Sequence, residues 1–305
     1  MPQTASKTFA VLKDEVEIEL YRALERPATV TVSGALTVDG TSLSLSSGSL
    51  EISDLVQVDN ELMAVTAGSG PYTVIRGFDG STAATHDDGT VGYVNPRWPR
   101  HRVGLALERS LGALEAWVPL HSTARYSVPS STLLMELPAA TKRVLEVKVP
   151  YSDGRVRPIG GWEFLDNVST TVTSTGRALT APSTLADGTV LEVTTHEGYV
   201  WLSPSSTAYY SSPPDDASVT LPSHGLDLPV LFASAYMVSG REISQTELDS
   251  VEEWSEEAAR RQGLNLRLIR ERWNEFYRRV DEVRRTIQRP PARREFVKMR
   301  RGALT

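Results

Sequence analysis

LRLIRERWNEFYRRVDEVRRTI, residues 266–287, carries Leu266, Ile269, Trp273, Phe276, Val280, Val283 and Ile287 at alternating spacings of three and four. That spacing lines one helical face with apolar side chains, the mark of a bundle or coiled-coil seam. The helix is expected to run from about Ser244 or Thr246 to Thr286, with a break near Gly263. Its first part is acidic (Glu247, Asp249, Glu252, Glu253, Glu256, Glu257) and its second basic (Arg267, Arg270, Arg272, Arg278, Arg279). Acid early and base late suits the helix dipole. Pro290 and Pro291 end it.

A seam needs other helices, and three more patterns supply them. Between Ser6 and Leu24, Phe9, Leu12, Val16, Leu20 and Ala23 share a face, with Lys13, Asp14, Glu17 and Glu19 mostly off it and Pro27 as the stop. Between Pro99 and Val118 the stripe is Val103, Leu107, Leu111, Leu114 and Val118. Arg100, His101 and Arg102 open that helix, where positive charge opposes the dipole. Either the surface tolerates them or a carboxylate or phosphate lies nearby. Residues 226–240 are almost wholly apolar, with Asp227 as the cap, and predict a helix buried on several sides.

Two stretches between the helices read as β structure. From Ala28 to Val94 the chain is rich in Thr, Val, Ser and Gly, with alternating runs such as ATVTVSG. DNELMAVTAG and GPYTVIRGFDGS read as strands joined by a Gly-Ser-Gly-Pro turn. A small barrel or sandwich is expected, near the lower limit for burying its own core. From Ala124 to about Leu221 short apolar runs closed by Pro, Gly or Ser predict a second β domain, including a hairpin around Thr175 and Gly176. Its aromatic residues Trp162, Tyr199, Trp201, Tyr209 and Tyr210 serve either as core or as a recognition face.

The 305 residues suffice for one large core or two or three smaller ones. A hydrophobic share of 40% and a charged share of 23% are ordinary for a globular chain. The net charge of −6 argues against a general nucleic-acid binder. There is no cysteine, which excludes disulfides, thiolate metal sites and cysteine nucleophiles. The N-terminus lacks a signal-peptide core, and no run reaches the roughly 20 apolar residues of a membrane span. A soluble product, either cytoplasmic or assembled in the cytoplasm, is expected.

The sequence holds no phosphate loop, dinucleotide fingerprint, nucleophile elbow or zincin helix. Of the histidines, His86, His101, His121, His196 and His224, none stands at metal-ligand spacing from another. The Thr85–Gly89 run, THDDG, reads as a turn. No catalytic residue, cofactor or metal site is assigned, and no enzymatic activity is expected. The C-terminal PARREFVKMRRGALT mixes Arg293, Arg294, Lys298, Arg300 and Arg301 with Phe296, Val297 and Met299. Apolar anchors among basic residues favour docking on a partner protein over gripping nucleic acid or staying a solvated tail.

Two stretches carry a resemblance. NELMAVTAGSGPYTVIRGFDGSTAATHDDGTVGYV, Asn60 to Val94, resembles a β module of tailed-bacteriophage virion proteins, minor tail proteins included. NPRWPRHRVGLALERSLGALEAW, Asn95 to Trp117, is similar to the Pro-Arg-aromatic-Pro-Arg helix that follows this module in head-to-tail connector adaptors. The resemblance implies a helical bundle core; with the two stretches of β pattern, which simple adaptors lack, the expected fold is α+β, a helical bundle core interrupted by two β-rich, sandwich- or barrel-like inserts. The parts expected are an N-terminal helix (1–27), a small β domain (28–95), a bundle helix (96–120), a second β domain (121–224), bundle helices (225–288) and an extended basic tail (289–305). Val103, Leu107, Leu111, Leu114, Ile269, Trp273, Phe276 and Val280 are the expected bundle core. The resemblance further implies a twelve-fold ring at the head–tail junction of a virion. The tail would reach the portal protein, a further neck or stopper protein would follow, and DNA would pass through the lumen. The alternative is a minor tail or baseplate protein whose β domains bind a host surface or glycan.

Overall fold

Helix α1 (Phe9–Tyr21) begins three residues later than its pattern suggests, because strand β1 (Thr4–Thr8) occupies the start. Thr8 ends one and caps the other: its backbone is extended and its hydroxyl accepts a bond from the Val11 N–H at 3.4 Å. The next donors are met from far along the chain, Phe9 N–H by the Ala217 carbonyl (2.8 Å) and Ala10 N–H by that of Asp215 (3.0 Å). Phe9, Leu12, Val16 and Leu20 are buried, and so is Lys13, which the spacing placed off that face. The computed structural model describes residues 4–22, 26–129, 133–151, 155–169, 171–202, 209–210, 213–249 and 256–288. Of these, 4–5, 209–210, 240–249, 256–266, 268 and 288 are described by backbone alone. Ala23 and the whole 289–305 tail lie outside the described residues.

The first β stretch folds into β2 (Thr29–Val32), β3 (Ser42–Leu43), β4 (Leu45–Ser47), β5 (Leu55–Val58), β6 (Glu61–Ala67), β7 (Tyr72–Ile75) and β8 (Val91–Val94). They form one sheet in the order β3-β7-β6-β5-β8-β2-β4. The two edge strands are separated only by Ser44, so the sheet curls into a nearly closed barrel, which leaves little edge to protect. Val30, Val32, Leu43, Val56, Met63, Val65, Tyr72 and Val74 fill it. The Gly-Ser-Gly-Pro segment joins β6 to β7. Gly68, at φ 102°, is needed there: a Cβ would come within 2.4 Å of the Pro71 carbonyl oxygen.

Helix α2 (Arg100–Trp117) follows. Pro99 is its cap rather than its first residue; the proline's carbonyl accepts from Arg102 and Val103 N–H at 3.0 and 3.1 Å. Then come β9 (Leu120–Ser127), β10 (Leu134–Glu136), β11 (Thr141–Pro150), β12 (Val156–Pro158), β13 (Glu163–Leu165), β14 (Ala178–Thr180) and β15 (Val190–Glu197). They make two sheets, β12-β11-β15-β9 and β10-β14-β13. One apolar cluster, with Leu137, Val147, Leu179, Leu191 and Val193 in it, serves both. The expected hairpin is wider than its Thr-Gly turn: β13, ending at Leu165, pairs with β14, starting at Ala178.

The second β domain does not extend to residue 224 as expected. Strands β16 (Trp201–Leu202), β17 (Tyr209–Tyr210) and β18 (Ser218–Pro222) leave it and join β1 in a separate sheet, β1-β18-β16-β17. Their buried residues Trp201, Val219 and Leu221 belong to the core of the helices. Alternation in SVTLP shows that one face is buried; it does not say against which core.

Helix α3 (Leu228–Asp249) runs past Gly240, and α4 (Glu256–Gln288) starts at Glu256 and continues through Gly263 without the expected break. Residues 246–249 thus belong to α3 rather than to the start of the last helix. The Asp227 carboxylate accepts from Arg279 Nε at 2.6 Å, a tie between the two helices rather than a simple cap. Helix α3 touches α1, α2 and α4, and one apolar core takes residues from all four helices, β16 and β18. Among the described residues the fold is α+β: four α-helices and several sheets, one a nearly closed seven-stranded barrel. Among the described residues no helix is long and apolar enough to cross a membrane.

Candidate functional site

Glu61 opens β6 and shares its parity with Met63 and Val65, so its carboxylate points into the barrel. It is fully buried and receives five donors: Arg76 Nε (2.7 Å), a terminal Arg76 nitrogen (2.8 Å), Gly77 N–H (3.0 Å), Ala84 N–H (3.0 Å) and His86 Nε2 (2.9 Å). Arg76 uses its remaining donors on the carbonyls of Thr37, Gly40 and Ala84 at 2.6, 2.7 and 2.5 Å. All five guanidinium N–H groups are therefore satisfied. The other nitrogen of His86 sits 2.9 Å from Asp59 Oδ2. Ionised carboxylates only accept, so both ring nitrogens donate and His86 is an imidazolium.

Two opposed effects act on Glu61. Burial alone works against its charge, but the bonds from Arg76, His86, Ala84 and Gly77 outweigh it and hold its pKa down to about 2. The bond to Glu61 raises the His86 pKa above the usual imidazole value, against desolvation. Gly77 sits at φ 59°, and a Cβ there would meet the Ser81 carbonyl oxygen at 3.0 Å. Ser81 Oγ bridges strand and turn, accepting from Leu62 N–H (2.9 Å) and donating to Phe78 O (2.9 Å). The characteristic residues of the 60–94 stretch thus form the internal clamp of the barrel.

The residues that open α2 join barrel to helices. Arg102 forks onto Asp79, at 2.5 Å to each carboxylate oxygen, and His101 Nε2 donates to the Asp79 carbonyl at 3.1 Å. The Arg102 bonds lower the Asp79 pKa; burial lowers that of His101. Arg100 reaches Asp14 (2.6 Å) and Glu17 (3.0 Å) on α1. Its backbone N–H, a donor left over at the helix start, bonds to Gln57 Oε1 of β5 at 2.7 Å. Three carboxylates answer the cluster that the dipole disfavours. Trp98 is buried just ahead of α2, edge-on to Tyr21 with ring centres 5.2 Å apart.

Of the expected bundle-core residues, Val103, Leu107, Leu111, Leu114, Phe276 and Val280 are buried in the core of the helices; Ile269 and Trp273 pack against it half-buried. Trp273 and Phe276 each meet Phe232 of α3 edge-on, at 5.4 Å. Tyr199 and Trp201 are buried in the same core, and Trp162 packs on the other β cluster. Tyr199 and Trp201 are therefore core residues, and Trp162 is half-buried. The expected docking residues Arg293, Arg294, Phe296, Val297, Lys298, Met299, Arg300 and Arg301 lie outside the described residues.

Sequence reasoning missed Lys13, Asn60, Asp79 and Asp215. Lys13 Nζ donates to Asn60 Oδ1 at 2.7 Å and to Asp215 Oδ1, bringing α1, the barrel and the approach to β18 together. A cleft of about 240 Å³ opens beside them. Among the described residues no group of three or more His, Cys, Asp or Glu side chains is placed to hold a metal ion. The chain matches no protein-family model and no curated protein sequence.

Proposed function

We propose that this chain is a non-enzymatic structural protein, a head-to-tail adaptor of a tailed-phage particle. On this reading the four helices form the bundle core, and the barrel and the second β region are inserts carried on it. Copies close into a ring of twelve at the head–tail junction, through a heterologous interface in which one face meets a different face of the next copy. The 289–305 tail docks on the portal protein, a neck or stopper protein binds below, and packaged DNA passes through the lumen without sequence-specific contacts.

One observation carries this reading. The residues behind the resemblance, Glu61, Arg76, Gly77, His86, Trp98, Arg100 and Arg102, are spent on holding the barrel together and fixing it to α1 and α2. Such a motif specifies a rigid scaffold rather than a reacting centre, which suits an assembly part. Removing residues after Pro290 tests the docking claim. The shortened chain should keep its circular-dichroism melt and lose binding to the purified portal ring. Undiminished binding contradicts the assignment of the tail.

A further inference from the structure

Lys13 is one of the largest fully buried side chains among the described residues, 2% exposed. Its Nζ lies 4.8 Å from the centre of the Phe9 ring and donates to Asn60 Oδ1 at 2.7 Å and to Asp215 Oδ1. The two Asp215 oxygens accept from the same Asn60 amide through Nδ2, at 3.4 and 3.2 Å. The three groups close a triangle. An ordinary ion pair explains the Lys–Asp edge. It does not explain an amide gripped at both ends, oxygen by the lysine and nitrogen by the lysine's own counter-ion.

That arrangement is the one amide exchange requires. A nucleophilic nitrogen lies beside a polarised carbonyl, and a single carboxylate touches both the attacking and the departing nitrogen. We propose that Lys13 and Asn60 condense into an intramolecular amide, with Asp215 as the proton carrier. Asp215 takes a proton from the Lys13 ammonium. The freed amine adds to Asn60 Cγ, forming the N–C bond. Asp215 collects the second proton lost by Nζ as the adduct collapses and protons pass to Nδ2. The Cγ–Nδ2 bond breaks, nitrogen leaves as ammonium, and the Asp215 carboxylate is restored. No oxidant or other co-reactant enters.

The surroundings favour the reactive form of the amine. Burial lowers the Lys13 pKa, and the nearby Arg100 charge acts in the same sense against the pull of Asp215. Gly104 of α2 permits the close packing, since a Cβ there would come within 3.1 Å of Phe9 Cζ. Asn60 is held from its own side, because its neighbours Asp59 and Glu61 are both locked onto His86. The product would bolt α1 to the β5–β6 turn of the barrel, making covalent a junction that Arg100 and Arg102 already hold by charge.

The test is the intact mass of the purified full-length chain, followed by tryptic peptide mapping. The expected result is a mass lower than the sequence mass by one ammonia and a branched peptide joining Lys13 to Asn60, with no cleavage after Lys13. Lys13→Arg, which keeps the charge, and Asp215→Asn should each restore the full mass in a chain whose circular dichroism is unchanged. Full sequence mass in the folded wild-type chain after prolonged incubation overturns the proposal. So does loss of water with the branch at Asp215, or loss of ammonia without a branched peptide. A bond that still forms in Asp215→Asn overturns the proton-carrier role.

Discussion

The two β regions solve the same problem differently. The barrel of residues 28–95 places a charge cluster at its heart, with Glu61, Arg76 and His86 all buried and every donor used. The region of β9 to β15 is held by an apolar cluster, and its buried polar residues among those described are threonines (Thr141, Thr173, Thr195). Desolvation offsets much of the Coulomb gain of a buried ion cluster, but removing one partner leaves an uncompensated buried charge at high cost. An apolar cluster stabilises without fixing partners so strictly. One region needs particular residues, the other needs residues of a kind.

Substitution should separate the two. Glu61→Gln leaves Arg76 and the His86 imidazolium buried without their counter-charge, and should destabilise the barrel by about 3–5 kcal/mol in denaturant unfolding. Hydrogen exchange should show β5 to β8 losing protection while β9, β11 and β15 keep theirs. Equal loss in both regions would mean that they unfold as one. Leu191→Ala in the apolar cluster should cost about 2–5 kcal/mol, with the protection pattern reversed.

A pH titration sharpens the contrast without mutation. The folded Glu61 pKa, about 2, lies below its unfolded value, so its contribution is complete above about 4.5 and fades as the pH falls towards 2. His86 runs the other way. Its folded pKa is raised, so its contribution is complete below the ordinary imidazole value of about 6.5 and is lost as the pH climbs through the raised one. Asp59 and Glu61 face it across the ring, with Arg76 behind Glu61. Barrel stability should therefore peak on the mildly acidic side, and His86→Gln should abolish the alkaline fall. A barrel whose midpoint is flat from pH 6 to 9 contradicts the imidazolium assignment. The smallest effect belongs to the half-exposed junction pair. Asp79→Ala should cost at most about 1 kcal/mol and shrink further in high salt, read as a small shift in melting temperature.

The same contrast explains what the sequence disclosed. The stripes Phe9–Leu20, Val103–Leu114 and Phe276–Val283 were legible because helical periodicity repeats over several turns. The barrel was legible through its Gly-Ser-Gly-Pro turn and its motif. Glu61 offered a signal that went unused: an acid at the inward parity of Met63 and Val65 is either an error or part of a network. The end of the second β region was not legible, because Trp201, Val219 and Leu221 fit an apolar core equally well whether sheet or helices cover it. Lys13 was hidden for a different reason. Its partners Asn60 and Asp215 are 47 and 202 residues away, and no local rule joins them.

The ring is tested most directly by electron cryomicroscopy of the assembled particle. The expected result is a ring of this chain between the capsid vertex and the tail, with residues 289–305 seated on the larger ring above it. Density for the chain at the distal tip of the tail alone contradicts the adaptor assignment.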